Sequence, residues 1–191
     1  MYFKDYRGIE QLKRDHEAYG NKWYPWLLKA DELIASAELL RDQCITRKYF
    51  PDNLDKYEDE IHSPGGKVFS VILMLWAMAT ECLLKALWLK SGEKLIVNGQ
   101  YSKIPNTNDH DLCTLAETIS SKGIFHFSDA DLDIFYRLSP YVTLGRYPIS
   151  KVVTIRSKNA PKGFESVGWS LPLYDDRFGD FLGRAFGAFR T

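Results

Sequence analysis

The sequence predicts an all-α domain: a compact up-and-down bundle of about five helices, with a small hairpin or extended insertion near residues 150–172. Two observations carry this. Apolar residues recur at spacings of three and four in several separate segments, and those segments are divided by stretches rich in Pro, Gly, Asn and Ser. A third is the run from Val68 to Leu89, VFSVILMLWAMATECLLKALWL, which is apolar nearly all round and needs other helices about it. With 191 residues, 45% apolar and 26% charged, the chain is the length of one domain, 1–191, around one core.

The elements follow in order. Trp26, Ala30, Leu33, Ala37, Leu40 and Cys44, with Leu27 and Ile34 beside them, form one stripe of a long amphipathic helix from Trp26 to Tyr49. Pro25 suits its first turn, and Pro51 with the polar run DNLDKYEDE marks its end. After a break at Ser63-Pro64-Gly65-Gly66 comes the apolar segment. It is long enough to span a bilayer, but Glu81 and Lys85 fall inside it, so the expectation is a buried central helix and no membrane contact. Gly92 can take a left-handed cap at its end.

From Glu93 to Asn108 the chain lacks sustained periodicity and reads as a loop. Asn108 or Asp109 can cap a third helix, whose inner face is Leu112, Leu115, Ala116 and Ile119 and which stops by Lys122-Gly123. Ser128 and Asp131 form a capping box for a fourth, with Leu132, Phe135 and Leu138 inward. Pro140 is expected to kink or end it, with helix resuming over Tyr141 to Tyr147. In the insertion, VVTIR and FESVGWS flank Asn159-Ala160-Pro161-Lys162-Gly163, and Lys151, Arg156, Lys158 and Lys162 make it the most basic stretch.

A fifth helix runs from about Asp176 to Phe189, with Phe178, Phe181, Leu182, Ala185, Phe186 and Phe189 on its apolar face. It carries Gly179, Gly183 and Gly187 at strict intervals of four. Each glycine costs about 1 kcal/mol relative to alanine in a helix interior. The strip suits close approach of another backbone, within the chain or across a dimer, or else marks a fraying end.

Charge points to no partner, because Lys plus Arg (25) balances Asp plus Glu (25), although a local basic patch is compatible with that balance. Cys44, Cys82 and Cys113 are odd in number and lie in apolar segments, with neither disulfide framework nor zinc knuckle. The first residues, MYFKDYRGIEQLKRDHEAYG, read as neither secretory signal nor anchor. A reduced, cytoplasmic setting is the expectation.

The order of features resembles a known family. A helix reading KADELIASAELLRD precedes ATECLLKALWLKSG, followed by a loop, NDHDLCTLAE and a helix ending GRYP. The specific pieces are Glu81-x-x-x-Lys85 with Gly92, His110-Asp111-Leu112, and Arg146-Tyr147-Pro148. Together they resemble the HEPN superfamily (higher eukaryotes and prokaryotes nucleotide-binding domain) over residues 26–148. The resemblance implies a helical bundle that commonly dimerises, a nucleotide or RNA ligand, a cognate nucleotidyltransferase-type partner, no cofactor, and a setting in prokaryotic toxin-antitoxin, stress or phage-defence systems. Many members are metal-independent endoribonucleases carrying an arginine followed four to six residues later by a histidine. Here that spacing is absent, since Arg146 is followed by Tyr-Pro-Ile-Ser-Lys-Val-Val and Arg137 by Leu-Ser-Pro-Tyr-Val-Thr-Leu.

The candidate site residues are Glu81, Lys85, Asp109, His110, Arg146 and Tyr147, each with two readings. Glu81 and Lys85, one helical turn apart, make either a mutually satisfied ion pair where the bundle opens to solvent or a pair whose lysine contacts phosphate. His110 is either a general base or part of a helix cap, bonded to first-turn amides or to a carboxylate. Asp109, His110 and Asp111 are adjacent and cannot converge on one metal ion without irregular backbone, so no metal is expected. Arg146 suits bidentate phosphate contact and Tyr147 base stacking, or else a helix-dipole contact and a core ring.

Three functions fit. The first is a HEPN-like domain that binds nucleotide or RNA, or regulates such a partner, without standard ribonuclease activity. The second is a divergent metal-independent endoribonuclease using Arg146 and His110. The third is a non-catalytic dimerisation or interaction module.

Overall fold

Two long antiparallel helices organise the protein, and the other elements cover the apolar surface they leave. The structure, a computed structural model, describes residues 8–46, 64–144 and 176–190. In chain order it places α1 (Ile9–Gly20), α2 (Trp23–Thr46), α3 (Pro64–Lys90), β1 (Ile96–Val97), β2 (Gln100–Tyr101), α4 (Leu112–Ser121), α5 (Asp129–Leu144) and α6 (Asp176–Gly187). The helical bundle is as expected, with six helices among the described residues in place of about five. The addition is α1, a largely polar helix that buries no residue.

The stripe on α2 packs as its spacing requires: Ala30, Ile34, Ala37 and Cys44 are buried, and the two alanines let α3 approach closely. Against it, α3 buries Ile72, Leu73, Trp76, Ala77, Leu83, Leu84, Leu87, Trp88 and Leu89. Its segment Ser70–Lys90 has the length and composition of a membrane span, yet 67% of the apolar window is buried inside the protein. The break expected at Ser63-Pro64-Gly65-Gly66 is corrected, because the helix starts at Pro64 and runs through both glycines. Proline is tolerated at a first helical position, where its missing N–H has no intrahelical partner to lose. Gly92 has φ +90°, the left-handed conformation anticipated there.

The expected loop after α3 contains a hairpin. Ile96 pairs with Tyr101 and Val97 with Gln100, around Asn98 (φ +53°) and Gly99 (φ +73°). Both turn residues are left-handed, which is the geometry that favours Asn-Gly. Strands of two residues are too short to show a period, so only that dipeptide signals them. Gly99 is required twice over, by its φ and because a Cβ would lie 2.7 Å from the Lys13 side chain. Asn21, just beyond α1, anchors the hairpin: its Nδ2 donates to the Ile96 carbonyl at 2.8 Å, and its Oδ1 accepts from the Leu95 and Ile96 amides at 2.8 and 2.9 Å.

Leu112, Leu115, Ala116 and Ile119 of α4 are buried as read. Its cap, however, is neither Asn108 nor Asp109. Asp111 Oδ1 accepts from the Cys113 and Thr114 amides at 3.1 and 3.3 Å, while Asp109 is engaged elsewhere. The capping box of α5 forms as expected, with the Ser128 amide donating to Asp131 Oδ2 at 2.7 Å and the Asp131 amide to Ser128 Oγ at 3.2 Å. Pro140 does not end this helix, which continues through it to Leu144. The turn is braced by its surroundings: Ser139 Oγ donates to the Phe135 carbonyl at 2.7 Å and accepts from the Leu112 amide at 3.0 Å, and Leu138 and Val142 are both fully buried.

Finally, α6 buries Phe178, Phe181 and Ala185. Phe181 meets Phe135 edge-on at 4.8 Å, and Phe178 meets Trp76 at 5.4 Å. Asp131, while serving the α5 cap, also accepts from Arg184 Nη2 at 2.6 Å through each of its oxygens and so joins α5 to α6. The insertion expected at 150–172, the helix end at 145–148 and the tail of the expected first helix lie outside the described residues.

Candidate functional site

Four elements bring a ring of polar and aromatic side chains together where α2 begins and α3 ends. Because α2 and α3 are antiparallel, Trp26 lies beside Lys85, its ring centroid 5.4 Å from the ammonium. One turn of α3 puts Glu81 under Lys85, and Lys85 Nζ donates to Glu81 Oε1 at 2.6 Å. The hairpin delivers Tyr101, whose ring centroid is 5.2 Å from the same ammonium. The segment before α4 supplies the rest: the Tyr101 hydroxyl donates to Asp109 Oδ1 at 2.9 Å, and His110 Nδ1 lies 3.2 Å from Glu81 Oε2.

This ring has a dry side and a wet side. The side chains of Lys85 and Glu81 are only 5% and 12% exposed, whereas that of His110 is 42% exposed. Burial pulls the Lys85 ammonium down, but the Glu81 carboxylate and Tyr101 more than offset it, so its pKa stands above the ordinary lysine value. Burial raises the Tyr101 phenol, and the neighbouring ammonium reverses only part of that rise. The phenol is therefore a hydrogen-bond donor throughout the neutral range.

The tautomer of His110 follows from its neighbour. A carboxylate can only accept, so Nδ1 carries a proton toward Glu81, and of the two neutral tautomers the one that fits leaves Nε2 as the lone pair. Chemically, a histidine backed by a carboxylate, with its side chain 42% exposed, can act as a base or accept a hydrogen bond.

Glu81, Lys85, Asp109 and His110, chosen from sequence, thus fall in one place. Their roles are redistributed. Of the two readings of Glu81 and Lys85, the mutually satisfied pair fits the geometry, because the ammonium is already bonded and lies behind two rings; Lys85 positions Glu81. His110 and Asp109 leave the cap to Asp111 and bond to Glu81 and Tyr101 instead. Trp26 and Tyr101 were not among the expected site residues. Trp26 reads as one more member of the apolar stripe, and the only clue to Tyr101 is the Asn-Gly turn that folds it back over Lys85. Arg146 and Tyr147 lie outside the described residues.

The glycine strip of α6 is corrected in one respect. A Cβ at Gly179, Gly183 or Gly187 would meet nothing within 4 Å, so the described residues make no close backbone approach there. Within one chain, Gly183→Ala is therefore expected to raise stability by about 0.5–1 kcal/mol, read as the urea midpoint at constant m.

Among the described residues no group of three His, Cys, Asp or Glu side chains could hold a metal ion. Nor is Cys113 poised as a nucleophile: burial, with Asp111, Glu117 and Asp133 around it, pushes its thiol up to about 12. Its alkylation by iodoacetamide at pH 8 is expected to be about two to three orders of magnitude slower than that of an unperturbed thiol. The sign for stability is unfavourable to alkali. A raised thiol pKa contributes stability that is complete below the unfolded-state value near 9.0 and is lost as pH rises toward about 12.

No family model, curated protein or solved structure matches this chain.

Proposed function

We propose that this chain is a HEPN-type helical domain that binds nucleotide or RNA, or regulates a partner that does, without the standard ribonuclease histidine. The observation that supports this reading is the junction at Glu81, which bonds Lys85 on its own helix and His110 from 29 residues further on. Two of the three sequence pieces that carry the family resemblance therefore share one network, with an exposed imidazole and a tyrosine ring beside it. In this reading Arg146 takes phosphate and Tyr147 stacks a base, while Lys85 and Glu81 hold the frame. A cytoplasmic stress or phage-defence role, a cognate nucleotidyltransferase-type partner and a homodimer through the α6 glycine strip belong to the same proposal.

The test is fluorescence anisotropy of a short labelled RNA against the purified protein across a salt series, with denaturing gels of the same samples. Expected is binding that weakens as salt rises, lost on Arg146→Ala, without cleavage. Absence of binding at low salt overturns the reading in favour of a pure interaction module. Sedimentation velocity over a concentration series tests the dimer, which Gly183→Ala should weaken.

The His110–Glu81 contact favours a second reading, a divergent metal-independent endoribonuclease in which His110 Nε2 accepts the proton of an attacking hydroxyl and Arg146 steadies the phosphate. Cleavage abolished by either His110→Ala or Arg146→Ala, with circular dichroism unchanged, would establish it. Cleavage that persists in both variants would sink it.

A further inference from the structure

The solvent side of the ring is chemically one-sided. Its cation, Lys85, is enclosed by Glu81, Trp26 and Tyr101. What reaches water is the His110 side chain, 42% exposed, whose neutral ring with Nδ1–H toward Glu81 offers Nε2 as an acceptor, and the half-buried Asp109, whose Oδ1 already accepts from Tyr101 and whose Oδ2 is the remaining acceptor. Tyr101, bonded to Asp109 through its hydroxyl, is itself 44% exposed. Two acceptors beside an aromatic face, with two carboxylates against one ammonium, repel phosphate and suit a flat group that offers hydrogen-bond donors.

We propose that this rim is a nucleobase subsite which selects a base by its donor edge: the base stacks on Tyr101 and donates to Asp109 Oδ2 and His110 Nε2. Guanine is the fullest match, because its N1–H and N2 amino group are adjacent donors in the plane of the ring. Uracil, with a single N–H flanked by two carbonyl oxygens, is the poorest. The inference rests on the binding reading above and assigns the phosphate contacts of that reading to residues outside this ring.

The experiment compares labelled oligo(U) hexanucleotides carrying one central guanine, inosine or uracil, bound by the full chain at fixed salt. All carry the same charge, so the phosphate contribution cancels. Guanine is expected to bind roughly tenfold tighter than uracil, with inosine, which lacks only the N2 amino group, in between. Asp109→Asn keeps an acceptor for the Tyr101 hydroxyl while turning a donor outward, and is expected to abolish the preference for guanine without changing the salt slope. Equal affinities for the three oligonucleotides would overturn the subsite and leave the binding reading standing. No binding to any would overturn both. Displacement of the guanine oligonucleotide by N-acetyl-arginine amide at lower concentration than by guanosine would also overturn it, by assigning the rim to a guanidinium.

Discussion

Glu81→Ala is expected to destabilise the protein by about 3–5 kcal/mol, measured by urea unfolding at pH 7, because it leaves a buried ammonium without its carboxylate. The side chain of Lys85 is 5% exposed, so water cannot replace the lost partner without opening the ring. Two further results separate this cause from simple loss of packing. In the native chain the Lys85 pKa is raised, so its contribution is complete below the unfolded-state lysine value and is lost as pH climbs through the higher folded one. In Glu81→Ala the burial is opposed only by the lesser contribution of Tyr101 and the sign reverses, so the gap between variant and native protein is expected to narrow as pH rises through about 10. Replacing both partners, as Glu81→Leu with Lys85→Met, is expected to recover most of the stability, since an apolar pair of similar volume costs no charge burial. That double variant should nevertheless lose any ligand affinity that depends on His110, whose Nδ1 partner it removes.

Phe181→Ala is expected to cost about 3–5 kcal/mol and to lower the melting temperature by roughly 10 °C, measured by circular dichroism. Phe181 is fully buried and touches Phe127, Phe135 and Phe178, with centroids 6.2, 4.8 and 6.2 Å away. The effect is concentrated because α6 has little helical stability of its own: it spans 12 residues and contains three glycines. What holds it is the aromatic contact and the Arg184–Asp131 pair. Amide exchange in the variant should accordingly rise first along α6, ahead of α2 and α3.

Most helices were legible because each buries one face. The stripes of α2, α4 and α6 and the capping box of α5 rest on neighbours three or four residues apart, and burial follows each pattern closely. The exceptions share a cause. No buried stripe marks α1, the two-residue strands show no period, and Pro140 stays inside α5 because contacts from α4 and the core outweigh the lost hydrogen bond.

The site divides along the same line. That Glu81 and Lys85 form a pair is a property of one helical turn, which the sequence by itself determined, as it did the all-α class and the single apolar helix at the centre. Which groups complete that pair was decided only in three dimensions. Trp26, Tyr101 and the adjacent Asp109 and His110 come from the start of one helix, a hairpin and the approach to another, and no local spacing relates these three places to Glu81 and Lys85. The antiparallel packing of α2 on α3 and the Asn98-Gly99 turn bring them together, and burial then turns Lys85 from a candidate ligand contact into the enclosed partner of Glu81.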